Sequence, residues 1–152
     1  MKFGYGIIAG FIATLVLSAL MLVKSSMGMM PQLDAVAMLS GMGAEYSGLP
    51  QTPTVGWVLH FLVGTVLWGG LFALTAGVWP GRNYAVKGIA FSIVAWIAMM
   101  VIVMPMAGAG FFGLAMGVGA PIATLVLHII FGAVLGVVYG RLAVREERPA
   151  RA

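Results

Sequence analysis

A ten-residue phrase that occurs twice constrains the fold of this chain more than any other feature. It reads VLHFLVGTVL at 58–67 and VLHIIFGAVL at 126–135, and six of the ten positions are identical. The phrase contains the only two histidines of the chain, His60 and His128, and each is followed by a glycine four residues later. The chain is therefore expected to contain a repeated structural unit with one histidine in each copy.

Both copies lie within long apolar runs, which are typical of membrane proteins. Hydrophobic residues make up 62% of the sequence and charged residues only 8%, whereas soluble domains carry about 25% charged residues. A helix needs about 20 residues to cross the hydrocarbon core of a bilayer. Four stretches have this length, and we number the spans one to four: 4–23, 55–78, 85–104 and 121–142. The sequence thus predicts an all-α integral membrane four-helix bundle, a single domain over 1–152 that ends in a tail at 143–152.

Small residues extend the repeat to spans one and three. Small side chains let two helix backbones approach closely, which drives helix association in lipid. They occur at a similar spacing in both spans: Gly6, Gly10 and Ala13 in span one, and Gly88, Ser92 and Ala95 in span three. The bundle is therefore predicted to consist of two tandem two-helix repeats, with an offset of 82 residues between spans one and three and 68 between spans two and four.

The two loops opposite the termini differ in character. The first is predicted to contain a short helix at the membrane interface, with Pro31 near its start, Asp34 in its first turn and apolar residues up to Leu39. The second, at 105–120, is apolar and rich in glycine. Because lipid cannot satisfy free backbone amides, it is expected to be covered by protein, to re-enter the membrane as helix or to stay at the headgroups.

The basic residues predict the orientation, because lysine and arginine are retained on the cytoplasmic side. Only Lys24 falls on the side of the two long loops, while seven fall on the side of the termini: Lys2, Arg82, Lys87, Arg141, Arg145, Arg148 and Arg151. Both termini, including the tail at 143–152, are therefore expected in the cytoplasm. The lipid bilayer is the expected partner of this basic face. Its residues are too scattered to form a nucleic-acid site, so no nucleic acid is expected.

Three strings in this chain carry a resemblance to a known family. GMMPQLD at 28–34, MPMAGAGFFG at 104–113 and LHIIFGAVLGVVYG at 127–140 are similar to those of small, uncharacterised four-helix membrane proteins of bacteria, described as a domain of unknown function. The resemblance covers nearly the whole chain. It implies a multi-pass protein of the bacterial inner membrane, and it implies no activity and no functional residues.

The histidines are the first candidates for a functional site, because an imidazole is costly in lipid and turns toward the bundle interior. His60 and His128 are expected at nearly the same depth, facing each other or a shared ligand. Two imidazoles that converge in this way could ligate haem b, and Gly64 and Gly132, one turn deeper, would leave room for the porphyrin. In the alternative interpretation each histidine bonds a carbonyl of a neighbouring helix, and the glycines only permit close packing.

Methionine offers a second metal chemistry. Five methionines are predicted at the same end of the bundle as the histidines: Met27, Met29, Met30, Met104 and Met106. Thioether and imidazole ligands together suit Cu(I), so a copper site formed by these methionines with His60 and His128 is a further hypothesis. Methionine is also a common filler of apolar cores, which is the competing interpretation.

The sequence disfavours an enzyme. The four acidic residues all lie outside the predicted spans, so no carboxylate pair is available there for acid–base catalysis. No glycine-rich phosphate loop follows a strand. We therefore expect a non-enzymatic accessory, assembly or scaffold subunit of a larger inner-membrane complex, with other membrane subunits or a second copy of itself as partner. A haem- or copper-binding membrane protein is the alternative.

Overall fold

Four long helices and one short helix make up most of this protein. A computed structural model describes residues 2–147. The helices are span one (Lys2–Ser26), the cap helix (Ala35–Ser47), span two (Pro53–Thr75), span three (Tyr84–Met106) and span four (Gly119–Glu147). All four spans are long and apolar enough to cross a membrane, and residues 2–147 contain no strand. The predicted all-α four-helix bundle is confirmed. Arg148 and Arg151, which contributed to the predicted orientation, lie outside the described residues.

Polar caps fix where spans two and three begin. The Thr52 side chain accepts a hydrogen bond from the amide of Val55 at 3.3 Å, and the Asn83 side chain accepts one from the amide of Val86 at 3.0 Å. Such caps satisfy amides that have no partner inside the first turn. Span four ends later than expected, at Glu147, so 143–147 of the predicted tail is helical. Proline and glycine, which would end a helix there, are absent from 143–147.

The short helix of the first loop begins later than the sequence suggested. Asp34 precedes the helix as its N-cap and accepts hydrogen bonds from the amides of Val36 and Ala37, both at 3.0 Å. It therefore does not lie in the first turn, and Pro31 lies before the helix in a turn. A carboxylate at the N-cap satisfies two free amides at once, which explains why the helix starts after Asp34. Gly48 ends it in the left-handed conformation, with φ of 66°.

The glycine-rich second loop accepts hydrogen bonds from residues of the first loop. The Tyr46 hydroxyl donates to the carbonyl of Met106, and the Gln32 side-chain amide donates to the carbonyl of Met116, each at 3.2 Å. Ala109 and Gly113 of this loop are buried. Most of the other residues of the loop are exposed, among them Phe111, Leu114 and Val118. Protein therefore covers the loop only in part, and its expected arrangement at the membrane stays a prediction. We call residues 27–52 and 107–118 together the cap, and this end of the bundle the cap side.

The two copies of the repeated phrase make the same contact with a neighbouring span. A side-chain carbon placed on Gly64 would clash with the Thr14 hydroxyl of span one, and one placed on Gly132 would clash with the Ser92 hydroxyl of span three. Thr14 and Ser92 are 78 residues apart. The offset of 82 expected between spans one and three is therefore wrong, because the glycine stripes fit several registers and only the contacts select one.

A π-helical segment in span two adds one residue between its two contact glycines. The segment is Val63–Trp68. Gly64 and Gly69, which meet span one at Thr14 and Gly6, are five residues apart. Gly132 and Gly136, which meet span three at the matching positions Ser92 and Tyr84, are four residues apart. One extra residue in a wider turn keeps both glycines of span two on the contact face. Span three carries a second π-helical segment near the cap, at 99–103.

Spans one and four pack closely against each other, whereas aromatic rings separate spans two and three. Span one packs closely on span four, whereas close backbone approaches between spans two and three are rare in the described chain. Phe91 of span three fills that gap, with its ring centroid 5.9, 5.4 and 5.4 Å from those of Trp68, Phe72 and Trp79. The position of span one that matches Phe91 is Ala13, which is fully buried. The two sides of the bundle therefore differ because the same position of the repeat holds a small alanine in span one and a large phenylalanine in span three.

Candidate functional site

His60 lies in the cap-side half of span two and is buried. Its ring makes edge-to-face contacts with Trp57 and Phe61 of the same helix, with centroids 5.7 and 5.8 Å away. The ring nitrogen Nε2 is inaccessible and has no hydrogen-bond partner. One turn toward the cap, Gly56 packs against the backbone of Val36 in the cap helix. The cap helix thus packs on span two one turn away from His60.

His128 occupies the matching position of span four, and one of its ring nitrogens is hydrogen-bonded. Nδ1 lies 2.8 Å from the carbonyl oxygen of Thr124, and because that oxygen can only accept, Nδ1 donates. The backbone carbonyl of His128 accepts a hydrogen bond from the Ser92 hydroxyl at 2.5 Å. The Thr124 hydroxyl in turn accepts one from the indole of Trp96 at 3.0 Å. A continuous set of hydrogen bonds therefore ties His128 to span three, and the ring is only half-buried.

Neighbouring spans fill the space beside both glycines. Thr14 of span one occupies the space next to Gly64, and Ser92 of span three occupies the space next to Gly132. These are the two places where the haem hypothesis needed room for a porphyrin. The contacts match one half of the alternative interpretation, in which the glycines permit close packing between helices. The other half, a bond from each histidine to a neighbouring helix, is wrong for His128, because its Nδ1 bonds a carbonyl of its own helix.

The two imidazoles do not touch within residues 2–147. Neither a ring contact nor a hydrogen bond joins His60 to His128 in this part of the chain. Spans two and four do meet elsewhere, through the rings of Phe72 and Tyr139, whose centroids are 5.3 Å apart. Within the same residues, no three His, Cys, Asp or Glu side chains are grouped in a way that could hold a metal ion. A site shared by the two histidines stays a prediction.

The structure separates the five methionines of the copper hypothesis. Met27, Met29 and Met106 are exposed, whereas Met104 is fully buried and Met30 packs against the core cluster that contains it. Four further methionines join these two in one cluster on the cap side: Met38, Met99, Met100 and Met116. Leu33 and Ala109 complete its core. We call the six methionines the methionine cluster.

Two groups of residues at these sites were missed by sequence reasoning. Thr14, Ser18 and Thr124 carry buried hydroxyls, and those of Thr14 and Thr124 meet the paired span at Gly64 and Trp96. Their signal was available, because serine or threonine four residues apart within a span, as at 14 and 18, can bond the carbonyl one turn back. Met100 was interpreted only as packing, yet it is the most buried member of the methionine cluster. No sequence signal marked it, since the cluster joins segments that are far apart in the chain.

Comparison with known proteins gives a family and no activity. A family model described as "Family of unknown function (DUF6789)" matches residues 1–150. Neither a curated protein nor a solved structure matches the chain. The match covers almost the full length of the sequence, including both copies of the repeated phrase and the cap.

Proposed function

The chain belongs to the DUF6789 family, whose function is unknown, and from this premise we propose that it is an accessory, assembly or scaffold subunit of a larger membrane complex, without catalytic activity of its own. We place it in the inner membrane of a bacterium with both termini in the cytoplasm, as its basic residues predict. The two-helix unit that it contains twice is the framework of this subunit. Its partners are other membrane subunits or a second copy of the chain.

The observation that carries the proposal is the filled interior of the bundle. The hydrophobic core of the described bundle is built from alanine, leucine and aromatic side chains, among them Ala9, Ala13, Phe72, Phe91, Phe131, Leu135 and Tyr139. Packing of this kind supplies rigidity rather than a polar path for ions or solutes, which would need charged or broken helices at mid-membrane. A rigid bundle with apolar outer faces is suited to act through its surface.

An aromatic ridge offers a surface for such a contact. Phe61 of span two lies between Phe11 of span one and Trp57, with ring centroids 5.7 and 6.3 Å away. Phe11 is 46% exposed, so the ridge points out of the bundle. Aromatic side chains are enriched where protein surfaces meet, because they bury a large rigid area at a low cost in entropy.

Photo-cross-linking in native membranes tests the proposal. A benzophenone amino acid placed at Phe11 or Phe61 keeps an aromatic ring at each position, so the bundle is preserved. We expect discrete protein adducts, whose mass separates a second copy of the chain from another subunit. The matched control is Phe111, an aromatic residue of the cap that is also exposed. Adducts with lipid alone, or the same adducts from the control position, would contradict a partner at the ridge.

A second candidate function is ligand binding at His60, with haem b or copper as the ligand. The observation in its favour is the buried Nε2 atom without a hydrogen-bond partner, since an unsatisfied polar atom in a protein interior is costly. An absorption spectrum and metal analysis of the purified protein test this function. A Soret band that disappears in His60→Leu supports haem, and copper that disappears in the same variant supports copper. A colourless, metal-free protein contradicts both.

A further inference from the structure

Half of the twelve methionines of the chain converge in the methionine cluster. They come from the first loop, the cap helix, the end of span three and the second loop, so tertiary packing alone brings them together. Met100 and Met104 are buried almost completely. The side chains of Met104 and Met116 approach one point, because a carbon placed on Gly113 would lie 3.4 Å from the Met104 sulfur and 3.2 Å from the Met116 methyl carbon.

An open cleft in the cap leads to this cluster. The cleft has a volume of about 960 Å³ and runs between the cap helix and the second loop. Met38 and Met116 line its wall and also belong to the methionine cluster. The cleft therefore connects the solvent on the cap side with thioether groups that are partly buried.

The charge of the cleft favours cations. Asp34 and Glu45 both line it, and the other two acidic residues of the chain are at 146 and 147, at the opposite end. Lys24, at the cap-side end of span one, donates hydrogen bonds to the carbonyl oxygens of Met30 and Leu33 and does not line the cleft. Two carboxylates in a concave surface raise the local concentration of cations.

We propose that the methionine cluster is a binding site for a soft monovalent cation, Cu(I) or Ag(I), which enters through the cleft. Thioether sulfur is a soft, neutral ligand that selects Cu(I) over hard cations such as Mg²⁺. Because it carries no proton at neutral pH, binding requires no deprotonation. The site differs from the copper site expected from the sequence, since it uses neither histidine and omits the exposed Met27, Met29 and Met106. It goes beyond the proposed subunit role and does not depend on it.

Silver binding by the purified full-length protein tests this proposal. Ag(I) is the probe, because it shares the ligand preference of Cu(I) and needs no reductant. We expect near-stoichiometric silver to remain bound after desalting in the presence of excess Mg²⁺. A double variant, Met104→Leu with Met116→Leu, should weaken silver binding by at least about tenfold, the loss that corresponds to about 1.4 kcal/mol. Leucine has a similar volume to methionine, so the fold is expected to persist.

The matched control is the double variant Met27→Leu with Met29→Leu, which removes two exposed thioethers and should bind silver as the wild type does. His60→Leu should also bind silver normally, which separates this site from a ligand at the histidine. If the first double variant does not fold, Met116→Leu alone, at the wall of the cleft, carries the test. Failure of the wild type to retain silver, or equal silver binding by cluster and control variants, overturns the proposal.

The role of the cleft is tested by the rate of silver uptake. Glu45→Gln removes one negative charge from the cleft without touching a methionine, so it should slow uptake at low ionic strength and leave the final stoichiometry unchanged. The same substitution should have little effect at high ionic strength, where charges are screened. An unchanged rate at low ionic strength contradicts entry through the cleft.

Discussion

At the scale of single residues, the two histidines share a sequence environment and differ in how their ring nitrogens are satisfied. His128 donates a hydrogen bond to Thr124, whereas the position that matches Thr124 in span two is Gly56, which packs against the cap helix. The cap helix lies in the first hairpin and packs on span two one turn from His60. Nε2 of the His60 ring is buried and has no hydrogen-bond partner. The repeat thus contains one histidine with a structural hydrogen bond and one with an unused nitrogen.

We expect opposite effects from substitution of the two histidines in the ligand-free protein. His60→Leu removes a buried nitrogen that costs about 1–3 kcal/mol when unpaired, so thermal stability in detergent should be unchanged or higher. His128→Leu removes a hydrogen bond in the membrane, of a kind that contributes about 0.6 kcal/mol on average, so stability should fall slightly. The midpoints of thermal unfolding measure both effects. A larger loss for His60→Leu than for His128→Leu would contradict this assignment.

At the scale of the helices, the contacts between paired spans depend on glycines that leave no room for a side chain. Gly136 packs against the backbone of Tyr84 and Gly140 against the ring of the same residue. In span two the π-helical segment, Val63–Trp68, keeps two glycines on one face although they are five residues apart. The position of each glycine therefore determines how far the paired helices are rotated about their axes.

Gly136→Leu should destabilise the bundle more than Val137→Leu. A side chain at Gly136 would collide with the Tyr84 carbonyl, which belongs to a helix backbone and cannot move aside. Val137 is 37% exposed and has room for a larger side chain. Overpacking of this kind costs about 1–3 kcal/mol, and thermal unfolding in detergent measures the difference. Equal midpoints for the two variants would show that the close contact is absent.

Deletion of one residue from the π-helical segment should be tolerated. Without Val66, span two can continue as a regular α-helix with its contact glycines four residues apart, as they are in span four. The control is deletion of Val58, a residue that is similarly exposed but lies in the α-helical part of the span. That deletion rotates Gly56 away from the cap helix and should lower stability. Equal losses in thermal stability for the two deletions would contradict the idea that the extra residue of the π-helical segment sets the positions of the contact glycines.

At the scale of the whole molecule, the bundle has two unlike sides and two unlike ends. Alanine closes span one on span four, and the rings around Phe91 hold spans two and three apart. One end bears most of the basic residues, while the other end bears the cap with Asp34 and Glu45. The two ends of the bundle, and its two sides, therefore present different surfaces.

The basic residues predict that the cap lies outside the cytoplasm. Reporters fused after Ala152 or inserted at 81–83 should respond as cytoplasmic, and a reporter inserted at 48–51, in the exposed turn after the cap helix, should respond as periplasmic. Paired reporters that are active on opposite sides of the membrane measure this at each position. An exported C-terminus would reverse the assignment and would place the cleft of the cap in the cytoplasm.

The sequence by itself determined the four spans and the all-α class. Hydropathy is a local property, and lipid forces each crossing segment to satisfy its own backbone hydrogen bonds as a helix. The glycines of the repeated phrase also predicted close helix contacts, and the structure has them. The cap helix was predicted as well, although it starts after Asp34 and not near Pro31, because its apolar residues and the glycine that ends it are also local features of the sequence.

Only the tertiary structure decided which atoms meet. The register between spans one and three changed from 82 to 78 residues because several stripes of small residues fit equally well until side chains collide. The contact of Gly56 with Val36 joins span two to a cap helix that the repeated phrase does not contain. The methionine cluster joins four separate segments, so neither Met100 nor Met116 could be linked to Met30 by spacing. Contacts between distant segments depend on how each helix is rotated about its axis, and one extra residue in a π-helical turn changes that rotation.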